Sequence, residues 1–211
     1  MSQNILIDTH NDLPWAFRDL VKDRVFSGTI NLEIGSNRTM TDIPRLKKGL
    51  VGGQIWSVFV DCKYANKDAV RATQEQIDTV VQMTERYPSF FRMARSTSDI
   101  RELYRQGYFP SLSGMEGGHQ IDSSLASLRS FYRAGVRYLT LTHNCDTPWS
   151  TSCCATNNSM PTTGLSSFGI DVVREMNRLG MMVDLSHTSV QTMRDAIDAS
   201  SAPVIFSHAC V

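Results

Sequence analysis

Short apolar runs alternate with amphipathic helical patterns along most of this 211-residue chain. In the helical patterns, apolar residues recur three or four positions apart, whereas the apolar runs are only six or seven residues long. Six such runs are countable, at residues 5–10, 54–60, 109–115, 136–142, 181–186 and 202–207. Regular alternation of strand and helix favours a parallel sheet whose two faces are covered by helices.

The helical patterns end at residues that stop helices. Pro88 ends the pattern that begins at Lys67, and Gly135 and Gly180 end two later ones, whereas residues 16–50 are polar and irregular. We therefore predict one domain over residues 1–211, of the (β/α)₈ barrel type with about six of the eight strands. The alternative is a doubly wound sheet, but no glycine-rich phosphate turn follows the first run.

Metal-ligand side chains stand at the ends of five of these six runs. His10 and Asp12 end the first run, and their side chains project the same way if the strand continues through them. The later runs end at Glu116, His143, His187 and His208. Because catalytic residues of a barrel lie at the carboxyl ends of its strands, we expect these side chains to gather at one site.

Five of these residues are candidate ligands, which is more than one catalytic zinc needs, because such an ion takes three protein ligands and water. Two ions that share one carboxylate fit better, and Glu116 is the predicted bridge because neutral imidazole cannot bridge. The predicted ligand sets are His10, Asp12 and Glu116 for one ion and Glu116, His187 and His208 for the other. Water between two ions about 3.5–4 Å apart would attack a polarised carbonyl. Zinc is the first choice, with cobalt and manganese left open.

Three further residues near these runs have more than one interpretation. His143 is predicted to donate to a developing oxyanion, with a core histidine as the alternative. His119 follows two glycines and is predicted to be structural or to line a pocket. Asp184 precedes His187 by three residues and so faces away from it, which predicts a supporting contact rather than ligation.

Composition excludes some partners. The net charge is zero and no block of Lys and Arg occurs, so nucleic acid and anionic membrane are poor candidates. The amino terminus lacks a signal peptide, which taken literally predicts a cytoplasmic protein. The five cysteines form no CxxC pair and no zinc-finger spacing. The polar loop 144–166 is long enough to serve as a lid over the strand ends.

Five motifs carry a family resemblance, in order, between about residue 5 and residue 208. They are HNDLPW at 10–15, MEGGH at 115–119, LTLTHN at 139–144, VDLSH at 183–187 and VIFSH at 204–208. With these motifs the chain resembles the membrane (renal) dipeptidases. The resemblance implies a (β/α)₈ barrel, two zinc ions, hydrolysis of dipeptides and a homodimer. It also implies metal binding by His10, Asp12, Glu116, His187 and His208, bridging by Glu116, a substrate contact by His143, and a Cys62–Cys145 disulfide.

The chain departs from this family in two respects. Animal members are secreted and lipid-anchored, whereas no signal peptide or anchor signal occurs here. The family barrel continues through two further strands, which supply a substrate-binding arginine and a late aspartate, whereas this sequence stops at Val211. We therefore expect a fragment or a truncated product.

The alternatives to a dipeptidase are a catalytically impaired metal-binding fragment and a related binuclear amidohydrolase acting on cyclic amides. Enzymes of the second kind often bridge their metals with a carboxylated lysine, whereas this chain has Glu116 at the bridging position. The sequence therefore favours the dipeptidase and leaves the preferred side chains of the substrate open.

Overall fold

The computed structural model describes residues 4–154 and 163–209. Its strands are β1 (Ile7–Asn11), β2 (Gly53–Phe59), β3 (Phe91–Met93), β4 (Phe109–Glu116), β5 (Val136–Thr140) and β6 (Met182–Asp184). Its α-helices are α1 (Leu13–Val21), α2 (Ile43–Lys48), α3 (Ala69–Arg86), α4 (Thr97–Arg105), α5 (Leu125–Ala134), α6 (Ser167–Leu179) and α7 (Val190–Ala199). No helix in these two ranges has the length and apolar character that crossing a bilayer requires.

The chain divides into two compact units. Unit 1 comprises Met1–Val58 and Glu75–Ser113, and unit 2 comprises Phe59–Gln74 and Gly114–Val211. Strand β4 begins in unit 1 and ends in unit 2, so that the boundary falls within a continuous strand. A single domain over the whole chain stays a prediction.

Unit 1 contains the amino-terminal strands and an aromatic core. Strand β1 pairs in parallel with β2, and β3 pairs in parallel with the first residues of β4. The ring of Phe91 meets Trp56 and Phe109 edge-on, with both centroid distances 5.6 Å. These three side chains are almost fully buried, and their packing stabilises the short strand β3 against the longer strands.

Unit 2 contains the end of β4 followed by β5 and β6, which pair in parallel. Gly114 on β4 faces Tyr138 on β5, and a Cβ at Gly114 would lie 2.1 Å from the phenol ring. Glycine is therefore required for the two strands to accommodate a buried tyrosine. Helices α5, α6 and α7 each begin at a serine whose side chain accepts a backbone N–H, and these caps are Ser124, Ser166 and Ser189.

The predicted fold class is confirmed, although two strands differ from the prediction. The sheet order is β1-β2-β4-β5-β6, with β3 beside β4, which is the α/β class of an incomplete (β/α)₈ barrel. Strand β3 was not predicted, because three residues are too short for a periodicity to appear. The predicted strand at 202–207 forms only one parallel bridge, between Ile205 and Asp184. Pro203 explains part of this difference, since it has no N–H to donate.

Two helices lie where the sequence predicted irregular structure. Residues 16–50, expected to be irregular, contain most of α1 and all of α2. Both helices begin with a proline in the first turn, where a missing N–H costs nothing. Helix α4 is capped by Ser96. Within the predicted lid, residues 155–162 lie outside the described residues.

Candidate metal centre

Glu116 is the last residue of β4 and one of the few buried carboxylates of unit 2. Its side chain is 5% exposed. Its backbone carbonyl accepts a 2.6 Å hydrogen bond from Gln120 Nε2, and Thr73 Oγ1 donates to Gln120 Oε1 at 2.8 Å. This buried chain of hydrogen bonds fixes the backbone from which the carboxylate projects.

Two imidazoles converge on this carboxylate. Glu116 Oε1 lies 3.2 Å from Nε2 of His187 and 3.3 Å from Nε2 of His208. The two Nε2 atoms are 2.9 Å apart. His187 follows β6 and His208 follows the bridge at Ile205, so three separate segments supply the three donor atoms.

Hydrogen bonds at the opposite ring nitrogens orient both imidazoles. His187 Nδ1 lies 3.2 Å from Asn144 Oδ1, an acceptor, which assigns the ring proton to Nδ1. His208 Nδ1 lies 2.9 Å from Ser207 Oγ, whose own proton is donated to Asp184 Oδ2 at 2.6 Å. Both Nε2 atoms are thereby assigned as lone-pair acceptors that face the carboxylate.

Three acceptor atoms at such separations fit a shared cation. Two ligands of a tetrahedral zinc ion, each about 2.0–2.1 Å from the metal, lie about 3.3 Å apart. The three separations of 2.9, 3.2 and 3.3 Å are close to this value. The mixed nitrogen and oxygen donors suit zinc and other divalent first-row metals. The residues present therefore fit a metal ion.

His187 has an unusual backbone that hydrogen bonds maintain. Its φ angle is +62°, a left-handed conformation that is uncommon for a residue with a Cβ. Its carbonyl accepts from Cys153 N at 2.8 Å, Thr142 Oγ1 at 3.0 Å and Ser152 Oγ at 3.2 Å. Strained residues that are held by several contacts cluster at functional sites, which agrees with the position of this ring.

His143 borders the same cluster. Its Nε2 lies 3.9 Å from Glu116 Oε1, and its ring centroid is 4.5 Å from that of His187. Phe59 packs edge-on against the ring with centroids 4.7 Å apart. The sequence prediction left His143 without an ion, whereas in unit 2 it forms another group of possible ligands with Glu116 and His187.

His10 and Asp12 lie in unit 1, at the end of β1. His10 Nε2 is 3.5 Å from Asp12 Oδ1, and the Asp12 side chain is 58% exposed. Asp12 precedes α1 and makes no side-chain cap, and Asn11 Oδ1 accepts from Leu13 N at 3.0 Å. The carboxylate of Asp12 lies beside the imidazole of His10.

A disulfide joins Cys62 to Cys145 in unit 2, as the resemblance implied. Its sulfurs lie beside two rings, with Cys62 Sγ 3.9 Å from His143 Nδ1 and Cys145 Sγ 4.0 Å from His119 Nδ1. His119 Nε2 donates to the carbonyl of Val60 at 2.8 Å. Burial lowers the pKa of His119, so this ring is neutral near pH 7.

The two serines that support the cluster were not identified from the sequence, whereas a supporting contact was predicted for Asp184. Ser186 and Ser207 each precede a histidine, and both hydroxyls donate to Asp184, at 3.0 and 2.6 Å. The repeated Ser-His dipeptide in the last two motifs was the available signal. Asp184 thus makes a supporting contact, and it reaches His208 through Ser207.

Several solved structures are similar to this chain. An amidohydrolase from Pseudomonas aeruginosa is 26% identical, with a TM-score of 0.70 over 97% of this chain and 52% of its own. A metallopeptidase from Rhodobacter sphaeroides, liganded with a phosphinate mimic of the dipeptide L-Ala-D-Ala, is 22% identical, with a TM-score of 0.79 over 98% and 65%. A structure described as dipeptidase AC is 23% identical, with a TM-score of 0.81 over 98% and 63%.

This chain therefore spans between 52% and 65% of the length of these structures. The two less identical structures support the fold alone. The family model described as membrane dipeptidase (Peptidase family M19) matches residues 1–211. The chain belongs to the membrane dipeptidase family, Peptidase family M19.

Proposed function

We propose that this chain provides the metal centre of a dipeptidase that hydrolyses the peptide bond of dipeptides with two divalent cations, zinc by first choice. The observation that carries the proposal is the convergence of Glu116 Oε1 with Nε2 of His187 and His208, at 3.2 and 3.3 Å. Family membership and this donor set support the same reaction class.

Each ligand has a proposed role. Glu116, His187 and His208 hold one ion, and Glu116 also serves the second ion together with His10 and Asp12. A carboxylate is suited to the shared position because it has two oxygens. The hydrogen bonds that His187 donates to Asn144 and His208 donates to Ser207 keep both Nε2 lone pairs available for the metal.

When bound, a pair of divalent cations lowers the pKa of water and polarises the peptide carbonyl. His143 is proposed to donate from Nε2 to the oxyanion that develops on that carbonyl as its carbon becomes tetrahedral. Its location supports this role. Phe59 packs against the ring and Cys62 Sγ lies near Nδ1, while Nε2 is on the side of the ring that faces Glu116.

The test is turnover of dipeptides such as L-Ala-L-Ala and L-Ala-D-Ala by the 211-residue chain reconstituted with zinc. We expect release of free amino acids that stops when a chelator removes the metal and returns when zinc is restored. The matched control is the Glu116→Gln chain treated in the same way. Turnover equal to that of the chelated sample would contradict the dipeptidase proposal.

The two alternatives give different results in the same assay. A metal-binding chain without a complete pocket would retain zinc but release no amino acid. An amidohydrolase would act on cyclic amides such as dihydropyrimidines and leave the dipeptides intact. The family also implies a homodimer, which light scattering of the zinc-loaded chain would detect.

A further inference from the structure

The Cys62–Cys145 disulfide lies beside a histidine whose ring has a metal-binding orientation. Cys62 Sγ, Cys145 Sγ and a ring nitrogen of His119 all lie within 4.8 Å of one another, and His119 Nδ1 is 4.0 Å from Cys145 Sγ. Cys62 follows β2 and Cys145 follows β5, so the three donors come from three segments of unit 2. Two sulfurs and one imidazole nitrogen are a ligand set that zinc binds.

His119 is fixed in the tautomer that a metal needs. The carbonyl of Val60 can only accept, so Nε2 carries the proton of the 2.8 Å hydrogen bond and Nδ1 carries the lone pair. That lone pair faces Cys145 Sγ at 4.0 Å, and the residue is 5% exposed. Gly117 makes room for the ring, since a Cβ there would lie 2.7 Å from Nδ1.

We propose that reduction of the Cys62–Cys145 disulfide converts this cluster into a second kind of metal site, a zinc site formed by Cys62, Cys145 and His119. The fourth position is taken by water, as in other sites with three protein ligands. This site uses residues other than the five proposed for the dipeptidase centre, and it does not depend on dipeptide hydrolysis.

Only small movements are needed to form the site. The two Cα atoms are 6.1 Å apart, and both cysteines are partly exposed. Ligand sulfurs on one zinc ion, each about 2.3 Å from the metal, lie about 3.8 Å apart. Rotation about the Cα–Cβ bonds of the two cysteines moves the sulfurs to that distance while His119 stays in place.

The conversion is balanced by a dithiol reductant. The dithiol transfers two electrons and two protons to the Cys62–Cys145 bond, which breaks to give two thiols, and the reductant becomes a disulfide. Zinc then binds the two sulfurs as thiolates and releases both protons to solvent. Oxidation by a disulfide of the same class reverses the reduction and expels the metal.

The test is a Co²⁺ titration of the 211-residue chain carrying Cys153→Ser, Cys154→Ser and Cys210→Ser, so that Cys62 and Cys145 are the remaining cysteines. One sample is oxidised, and the other is reduced with dithiothreitol and desalted under argon. We expect the reduced sample to bind one more equivalent and to develop the near-ultraviolet thiolate-to-cobalt absorption. Zinc should abolish this absorption.

Two further variants in this background test the ligands. His119→Gln should weaken Co²⁺ binding at the thiolate site by about tenfold or more. Cys145→Ser should weaken it as much, and it changes a residue that is partly exposed. Near-ultraviolet circular dichroism checks that each chain stays folded. The proposal is overturned by a folded reduced chain without the absorption, by unfolding on reduction, or by undiminished binding in both variants.

Discussion

The pair His10–Asp12 and the cluster Glu116–His187–His208 place the same kinds of ligand in different surroundings. The pair comes from one strand end, and its carboxylate is 58% exposed. The cluster comes from three segments, and its carboxylate is 5% exposed. Hydrogen bonds from the two imidazoles to Ser207 and Asn144 orient the rings of the cluster. The comparison shows that local sequence can position two ligands, whereas a buried carboxylate with two oriented rings requires long-range contacts.

Glu116→Ala should have the largest effect, because the proposal gives this carboxylate to both ions. We expect kcat/KM for dipeptides to fall by at least about 10³-fold, since the loss removes several kcal/mol of transition-state stabilisation. Steady-state kinetics of the zinc-reconstituted chains measures this change. Glu85→Ala, an exposed carboxylate on α3, is the control and should leave the rate unchanged. A loss below tenfold in the Glu116 variant would contradict the bridging role.

Asp12→Ala should have a smaller effect on metal content. The remaining set of Glu116, His187 and His208 is expected to keep its ion, so that one of the two metals is retained. Inductively coupled plasma mass spectrometry after dialysis measures the ratio of metal to chain. Retention of both metals, or loss of both, would contradict the proposal that the pair and the cluster hold different ions.

Ser207→Ala tests how far the cluster depends on its supporting hydrogen bonds. This variant leaves His208 without the partner at Nδ1 and should weaken zinc affinity by about 10–100-fold. Competition with a chromogenic chelator measures the affinity. Ser201→Ala is the matched control, since the exposed hydroxyl of Ser201, beyond the end of α7, donates to Asn177 on α6. Equal affinities of the two variants would argue against orientation by Ser207.

Asp42 tests a helix cap in unit 1, which also contains the His10–Asp12 pair, and has the smallest expected effect. Hydrogen bonds from Arg45 hold the pKa of Asp42 at about 2, below its ordinary 3.8. Because the folded pKa is depressed, the stabilisation is complete above pH 4 and is lost as the pH falls towards 2. Asp42 also caps α2, so Asp42→Ala should cost on the order of 1–2 kcal/mol.

Urea denaturation at pH 7 and pH 3 measures this contribution. The difference between parent and Asp42→Ala should be larger at pH 7 than at pH 3. Asp68→Ala, an exposed carboxylate before α3, is the control. A difference that grows on acidification would contradict the assigned direction.

Sequence reasoning reached the fold class because strand and helix periodicities repeat over the whole chain. It missed β3 and helices α1 and α2, since these elements are short and tertiary packing decides their conformation. His10 and Asp12 were selected from their spacing at the end of an apolar run, although β1 ends at Asn11 and Asp12 lies just beyond it. The Cys62–Cys145 pairing was not, because 83 residues separate the two cysteines and only the family resemblance connected them.

The supporting contacts were the least predictable part of the candidate centre. Asp184 reaches His208 through Ser207, and the bond between Asp184 and Ser207 joins residues 23 positions apart in the chain. The left-handed backbone of His187 likewise depends on Thr142 and Ser152. Such contacts follow from the positions of whole strands, which no local pattern specifies.

The most direct test of a shared cation pair is the metal content of the parent chain and the Glu116→Ala chain, loaded with zinc and dialysed side by side. We expect two zinc ions per parent chain and none in the variant, because the proposal gives this carboxylate to both ions. Two ions retained by the Glu116→Ala chain would contradict the shared carboxylate.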